Sequence, residues 1–264
     1  MALRLLVTRP QPQADAWVER LQRHAIDACA LPLLSIESVA DLGALHAAWH
    51  DLPRYALVMF VSPNAVSHFF AARPAALQTP GWPAGTRAGA TGPGTMQALQ
   101  MAGVPASLCA APPAHAAQFD SAALWAELQF VPWEGREVLV LRGEGGRDEF
   151  AAHLRAAGAA VHFTQAYHRR LPQHGPAEQE RLAAALAAPA RHLWWLSSTE
   201  ALGHLPALAP GADWPAAQAL ASHPRIADRA RQLGFGRVFE AAPTLAAVRD
   251  ALAAIGPCLQ SPSP

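Results

Sequence analysis

The chain has 264 residues, 52% of them hydrophobic, and its 20 arginines balance 20 acidic residues to a formal net charge of zero. This length and composition predict a globular protein of one large or two small domains, and the neutral charge gives no sign of a nucleic-acid partner. The sequence contains no lysine, which excludes pyridoxal aldimines, Schiff-base aldolases and phosphate-loop ATPases, because each of them needs a lysine amine.

The cysteines are few and odd in number, and Cys29, Cys109 and Cys258 have no CxxC spacing. This disfavours a disulfide framework and favours a reducing cytoplasm.

The apolar run in the N-terminal stretch MALRLLVTRP is too short for a secretory signal, and no run reaches the roughly 18 apolar residues of a membrane span. We therefore expect a soluble cytoplasmic protein. The histidines lack metal-binding spacing, so no metal site is predicted.

Short runs rich in Val, Leu and Ile recur, and most are followed by a turn and then by helical periodicity. This alternation predicts parallel α/β units whose strands are buried on both faces. In chain order the predicted strands are 3–7, 29–34, 56–61, 87–91, 138–141, 161–164, 192–196, 219–222 and 238–241. Gly158 and Gly234 close two predicted helices and are expected in the left-handed conformation of a C-terminal cap.

Two segments interrupt the alternation of strands and helices. They are LPLLSIESVADL, at the end of the second predicted strand, and QAYHRRLPQHGP, after the sixth. Both contain proline and are polar towards one end, which is typical of extended crossings between domains.

Four turns that join a predicted strand to a helix carry small hydroxyl or glycine residues, and they begin at Ser62, Thr91, Arg142 and Ser197. Each presents free backbone N–H groups at a helix N-terminus, where the helix dipole favours an anion. Serine, threonine and asparagine are also ordinary N-caps, so any one turn has both interpretations, whereas four together favour anion binding. The turn RGEGGR fails the GxGxxG fingerprint, which disfavours a dinucleotide site.

Arginines near these turns are candidate partners for carboxylates, because a guanidinium can bind a carboxylate through two hydrogen bonds. They are Arg9, Arg142, Arg147 and Arg169. Each of them could equally be a solvated surface charge.

Seven stretches resemble the uroporphyrinogen-III synthase family, in order and over nearly the whole chain: LLVTRPQPQADAW, FVSPNAV, ATGPGTMQAL, VLVLRGEGGRDEFAAHLRAAGAAV, QAYHRRLP, WLSSTEAL and SHPRIADRARQLGF. Val61 and Thr199 depart from the family's usual Thr and Pro. The resemblance implies an α/β fold of two flavodoxin-like parallel-sheet domains, joined by two extended linkers with a cleft between them. Domain 1 would comprise 1–36 and 171–264, domain 2 would comprise 41–165, and the linkers would be 37–40 and 166–170.

The function implied by the resemblance is a cyclising lyase of haem biosynthesis. It would close hydroxymethylbilane to uroporphyrinogen III, losing water and inverting ring D through a spiro intermediate, without a cofactor and as a monomer. Every pyrrole of that substrate carries an acetate and a propionate, so the turns would hold carboxylates.

The implied catalytic residue is Tyr167, as hydrogen-bond donor to the departing hydroxyl, although this tyrosine could instead only pack at the hinge. The expected substrate-binding residues are Arg9, Ser62, Asn64, Thr91, Gly92, Arg142, Gly143, Gly145, Arg147, Arg169, Ser197, Ser198, His223 and Arg225. For His223 and Arg225 a role at the start of a helix is an equal alternative.

Two other functions remain open at this point. One is a non-catalytic module with the same two lobes that binds a tetrapyrrole or another anion. Tyr167 and the glycine turns argue against this reading. The other is a nucleotide- or flavin-dependent enzyme, which the missing fingerprint disfavours.

Overall fold

The structure, a computed structural model, describes residues 3–77, 81–113, 116, 119–145 and 148–258. Its strands are β1 (Arg4–Val7), β2 (Ala28–Ala30), β3 (Ser35–Ser38), β4 (Tyr55–Phe60), β5 (Arg87–Ala90), β6 (Cys109–Ala110), β7 (Glu137–Arg142), β8 (Ala160–Gln165), β9 (Tyr167–Arg170), β10 (His192–Leu196), β11 (Gln218–Ala221) and β12 (Arg237–Glu240).

The α-helices are α1 (Gln13–Gln22), α2 (Gly43–His50), α3 (Pro63–Ala71), α4 (Pro93–Met101), α5 (Ser121–Leu128), α6 (Glu149–Ala156), α7 (Pro176–Ala187), α8 (Thr199–Gly203), α9 (Leu205–Leu208), α10 (Pro224–Gln232) and α11 (Leu245–Cys258). Among the described residues, none of these helices has the length and apolar character needed to cross a membrane.

The chain forms two compact units: unit 1 is Met1–Ser35 with Arg170–Pro264, and unit 2 is Ile36–Arg169. The sheet of unit 1 has the order β12-β11-β10-β1-β2, with every neighbouring pair parallel. Numbered within the unit, this order is 2-1-3-4-5, that of flavodoxin-like folds. The chain leaves β1 to one side and later returns to its other side at β10, so the topological switch point lies between β1 and β10.

The sheet of unit 2 is also entirely parallel, with the order β6-β5-β4-β7-β8. Numbered within the unit this is 3-2-1-4-5, the order of a doubly wound Rossmann sheet, and the switch point lies between β4 and β7. The predicted fold class of two parallel α/β sheets is therefore confirmed. The two segments predicted as extended linkers contribute β3 and β9, which pair as a separate two-stranded sheet.

The predicted strands are found with their ends shifted by at most one residue, except the second, which was predicted to reach residue 34 but ends at Ala30. The N–H groups of Leu31 and Leu33 still donate to the carbonyls of Val7 and Thr8, at 2.9 and 3.3 Å, but the regular pairing with β1 stops at Ala30. The carbonyl groups of this buried segment are satisfied by side chains instead. The pairs are Arg181 with Ala30 O at 2.8 Å, His174 with Pro32 O at 2.7 Å, and His204 with Leu33 O at 2.7 Å.

The helix ends expected at Gly158 and Gly234 are confirmed, since their φ angles are +89° and +97°. At Gly158 a Cβ atom would also lie 2.9 Å from the Cα of Glu134. A side chain there would be strained both by the backbone conformation and by the lack of space.

Each unit contains closely packed aromatic side chains. In unit 2, Trp49 stacks on Phe69 at 4.3 Å and donates its indole N–H to the carbonyl of Phe69 at 2.8 Å. In unit 1, Trp17 of α1 meets Trp195 of β10 edge to face at 4.5 Å.

Candidate functional site

The switch point of unit 2 is occupied by a pair of hydroxyl groups. Ser62 follows β4 and caps α3, its Oγ accepting a hydrogen bond from the backbone N–H of Ala65 at 3.2 Å. The same Oγ lies 3.0 Å from the phenol oxygen of Tyr167. The residue predicted as catalytic therefore contacts a residue predicted to bind substrate, at the edge of the sheet where doubly wound folds bind ligands.

Tyr167 is the first residue of β9 and is 3% exposed. Its ring lies directly against the glycine turn after β7, where a Cβ atom added to Gly143 would come within 2.8 Å of the tyrosine Cε2. Gly143 is thus required to be small because of this neighbour.

Tyr167 also contacts His68, and the sequence did not predict this contact. The ring of His68, on α3, lies nearly parallel to the phenol with centroids 5.7 Å apart, and its Nδ1 is 3.4 Å from Ser38 Oγ. Burial lowers the pKa of His68, so the neutral imidazole is favoured. His68 and Ser38 belong to no motif, and their spacing from Ser62 and Tyr167 gives no signal in the sequence.

The arginines around the glycine turn of unit 2 are already engaged within the turn. Arg142, the last residue of β7, donates to Asp148 at 2.5 Å, and its Cζ lies 3.9 Å from the ring centre of Phe163. Arg169 donates to the backbone carbonyl of Glu144. These guanidinium groups stabilise the shape of the turn.

Other predicted residues of unit 2 lie at the same carboxyl edge. Gly145 adopts a left-handed conformation with φ +61°, which is readily available to glycine. Asn64 is in the first turn of α3, and Thr91 and Gly92 follow the neighbouring strand β5, with Gly92 as the N-cap of α4. Arg147 lies outside the described residues.

The corresponding turns of unit 1 follow β1 and β10. Ser197 comes directly after β10, and Ser198 caps α8 by accepting from the N–H of Ala201 at 3.3 Å. Across the switch point, Thr8 Oγ1 donates to the carbonyl of Trp195 at 2.6 Å. This hydrogen bond joins the ends of the two strands.

Arg9 follows Thr8 at this switch point and contacts the rings of two tryptophans. Its Cζ lies 5.3 Å from the ring centre of Trp195 and 5.7 Å from that of Trp17. Its Nε is buried and has no hydrogen-bond partner in the part of the chain that the structure describes. Burial, with no acidic neighbour to offset it, lowers the pKa of this guanidinium to about 10.

His223 and Arg225 lie at the start of α10, after the outer strand β11. His223 is the N-cap of this helix, and its ring Nδ1 accepts from the backbone N–H of Arg225 at 3.2 Å. The geometry thus provides the helix-start role that the sequence left as an alternative.

The fold and these turns define a two-unit, doubly wound α/β protein whose predicted site residues in the described ranges lie mainly in the turns after its strands. The model of the family "Uroporphyrinogen-III synthase HemD" matches residues 15–249. The chain is also 30% identical over 177 residues to the uroporphyrinogen-III synthase of Salmonella typhimurium, covering 66% of this chain and 68% of that protein. The chain belongs to the uroporphyrinogen-III synthase HemD family, which confirms the resemblance seen in its motifs.

Two solved structures share the fold. A mutant uroporphyrinogen-III synthase of Thermus thermophilus has 18% identity and a TM-score of 0.57, the match covering 97% of this chain and 100% of that one. The uroporphyrinogen-III synthetase of Helicobacter pylori has 14% identity and the same TM-score of 0.57, with 97% and 100% covered.

Proposed function

We propose that the protein is a uroporphyrinogen-III synthase that cyclises hydroxymethylbilane to uroporphyrinogen III, with Tyr167 as the proton donor to the departing hydroxyl. Family membership supports the reaction. The observation that carries the assignment of Tyr167 is its phenol oxygen, 3.0 Å from Ser62 Oγ at the switch point of unit 2.

The hydrogen bonds of Ser62 favour donation by Tyr167. The Oγ of Ser62 already accepts the N–H of Ala65, so its own proton is available for the phenol oxygen of Tyr167. The phenol proton then points away from Ser62 and can be donated to a substrate. Donation from serine also stabilises the negative charge that develops on the phenol oxygen as its proton moves.

The chemistry needs little beyond this proton and correct positioning. Protonation of the terminal hydroxyl lets it leave as water, and an azafulvene remains. The substituted carbon of ring D then forms a bond to the azafulvene carbon, which gives the spiro intermediate. One bond of the spiro centre breaks, the fragments reclose with ring D inverted, and a proton is released, so the net change is loss of one water.

We extend the proposal to the organisation of the protein. Unit 1 is domain 1, which comprises residues 1–36 and 171–264, and unit 2 is domain 2, which comprises residues 41–165. The protein acts in the cytoplasm as a monomer on a small tetrapyrrole. Its serine, threonine and glycine candidates bind substrate carboxylates through hydroxyl or backbone N–H groups, and its arginine candidates bind them through guanidinium groups.

The test is an isomer assay. The purified protein is given freshly made hydroxymethylbilane in metal-free buffer, the products are oxidised, and type I and type III porphyrins are separated by chromatography. We expect mainly type III without an added cofactor. Only type I, at the uncatalysed rate and from a folded sample, would contradict the proposal and favour the non-catalytic binding module.

A further inference from the structure

The unexplained feature of unit 1 is a positive charge without a counter-ion. No carboxylate in the described part of the chain is paired with Arg9, whose Nε is buried and unbonded. Burying a charge is costly, and buried charges in proteins are as a rule paired. Contacts with the rings of Trp17 and Trp195 compensate for part of the cost, because the electron-rich face of an aromatic ring attracts a cation.

The hydrogen-bond donors of the guanidinium lie in its plane. The rings of Trp17 and Trp195 are nearly perpendicular, with an interplanar angle of 86°, so the guanidinium can lie parallel to only one of them. Neither terminal nitrogen has a hydrogen-bond partner among the described residues, and Arg9 as a whole is partly exposed. A ligand can therefore reach the side of the guanidinium that binds anions through two hydrogen bonds.

The place of Arg9 in the fold points in the same direction. It follows β1, and β1 pairs with β10 on the other side of the switch point. Ligands of doubly wound sheets bind outside the carboxyl ends of the strands at this position. Topology and the unpaired charge are independent observations, and they coincide at one residue.

We propose that Arg9 is an anion-binding residue held ready by Trp17 and Trp195, and that its ligand is a carboxylate. Assigning this carboxylate to an acetate or propionate group of the tetrapyrrole rests on the proposed function. Arg9 differs in this respect from Arg142 and Arg169, whose guanidinium groups already donate within their own unit. Arg9 is thus the arginine through which unit 1 recognises the charge of the substrate.

The experiment uses the full chain with sodium propionate as the probe, at constant ionic strength made up with sodium chloride. Thermal unfolding is followed for the wild type, R9M and R20M. Arg20 is the matched control, because its Cζ lies 4.5 Å from the ring centre of the same Trp17 but its side chain is exposed. The Michaelis constant for hydroxymethylbilane is measured for the same three proteins.

We expect propionate to raise the Tm of the wild type and R20M but not of R9M, because only a free guanidinium gains a partner. R9M should raise KM about tenfold, as for the loss of one charged hydrogen-bonded contact, while R20M should leave it unchanged. An R9M protein with the wild-type response to propionate, or with the wild-type KM, overturns the proposal. If R9M does not fold, R9K replaces it: an ammonium lacks the planar fork, so an R9K protein equal to the wild type in both measurements overturns it as well.

The two proposals fail in different ways. A wild type that yields only the type I isomer, but is stabilised by propionate through Arg9, contradicts the synthase and leaves the anion site standing. A protein that yields type III with a KM indifferent to Arg9 contradicts the anion site and leaves the synthase standing.

Discussion

The switch points of the two units are built from opposite chemistry. In unit 2 the edge between β4 and β7 holds neutral groups, the hydroxyls of Ser62 and Tyr167, and the arginines nearby are already engaged. In unit 1 the edge between β1 and β10 holds the guanidinium of Arg9, with no counter-ion among the described residues. The same kind of sheet edge therefore carries a pair of hydroxyl groups in one unit and, among the described residues, an uncompensated charge in the other.

Two parallel sheets of similar architecture thus carry different chemical groups at their switch points. A phenol does its work as a neutral donor, and its environment in unit 2 consists of a serine hydroxyl, a glycine and an imidazole ring. An anion-binding site instead needs a positive charge that the protein itself leaves unpaired.

The largest expected effect is loss of the phenol proton at Tyr167. Y167F should lower turnover at least tenfold, equivalent to about 1.4 kcal/mol in the barrier, because the departing hydroxyl loses its donor. Y55F is the matched control, since Tyr55 is the other tyrosine of the chain and is also buried. Steady-state kinetics with type III product as readout decide the matter: equal turnover of Y167F and wild type, with the fold intact, would leave Tyr167 with a packing role.

The second prediction concerns the space that Gly143 leaves for Tyr167. G143A places a Cβ atom 2.8 Å from the ring, so the phenol must shift, and turnover should fall about tenfold. In the Y167F background the same change should cost less than about twofold, because the group that it displaces no longer acts.

The control for this cycle is G85A, since a Cβ atom at Gly85 would meet nothing within 4 Å. If the effects of G143A and Y167F multiply instead, Gly143 acts independently of Tyr167. Its backbone N–H would then be the important group, as the sequence motif alone predicts.

The parallel sheets could be predicted because their strands are continuous apolar runs with turns at fixed places. The short strand β6 (Cys109–Ala110) was not predicted, since two residues carry no periodic signal. The second strand was predicted too long because residues 31–34 are as buried and apolar as a strand. Burial alone does not distinguish a ladder from a segment whose carbonyls are satisfied by distant side chains.

The site was only partly predictable for a related reason. Ser62, Tyr167 and Arg9 stand in motifs, so the sequence indicates that they matter. Their neighbours His68, Trp17 and Trp195 look like ordinary residues of a helix face or strand. Contacts between residues far apart in the chain depend on strand order, and the chain alone does not reveal that order. For the same reason, the sequence could not separate the unpaired Arg9 from the engaged Arg142.

A smaller effect is expected from removing the hydroxyl of Ser62, which has two roles. S62A should lower the free energy of unfolding by about 1 kcal/mol through loss of the helix cap, and it should also lower turnover because Tyr167 loses its partner. T244A removes a comparable cap, since Thr244 Oγ1 accepts from the N–H of Ala247 at 3.3 Å in unit 1.

Urea denaturation and kinetics of the two cap variants together separate these roles. Similar losses of stability with a loss of turnover only in S62A would support the link from Ser62 to Tyr167. Similar losses of stability with equal turnover would show that Ser62 is a cap alone.

The smallest expected effect is the pH dependence contributed by His68. Its folded-state pKa lies below the usual 6.5 because burial disfavours the imidazolium. As pH falls through about 6.5 the unfolded chain therefore takes up the proton before the folded one, and the wild type loses stability; above this value the residue adds no pH dependence.

The variant H68N tests this effect, because it keeps a polar group near Ser38 but does not titrate. Urea midpoints at about pH 7.5 and about pH 5 should show a steeper decline for the wild type than for H68N. Parallel declines would place the imidazole in an environment as well solvated as in the unfolded chain, and the neutral surroundings inferred for Tyr167 would then need a different explanation.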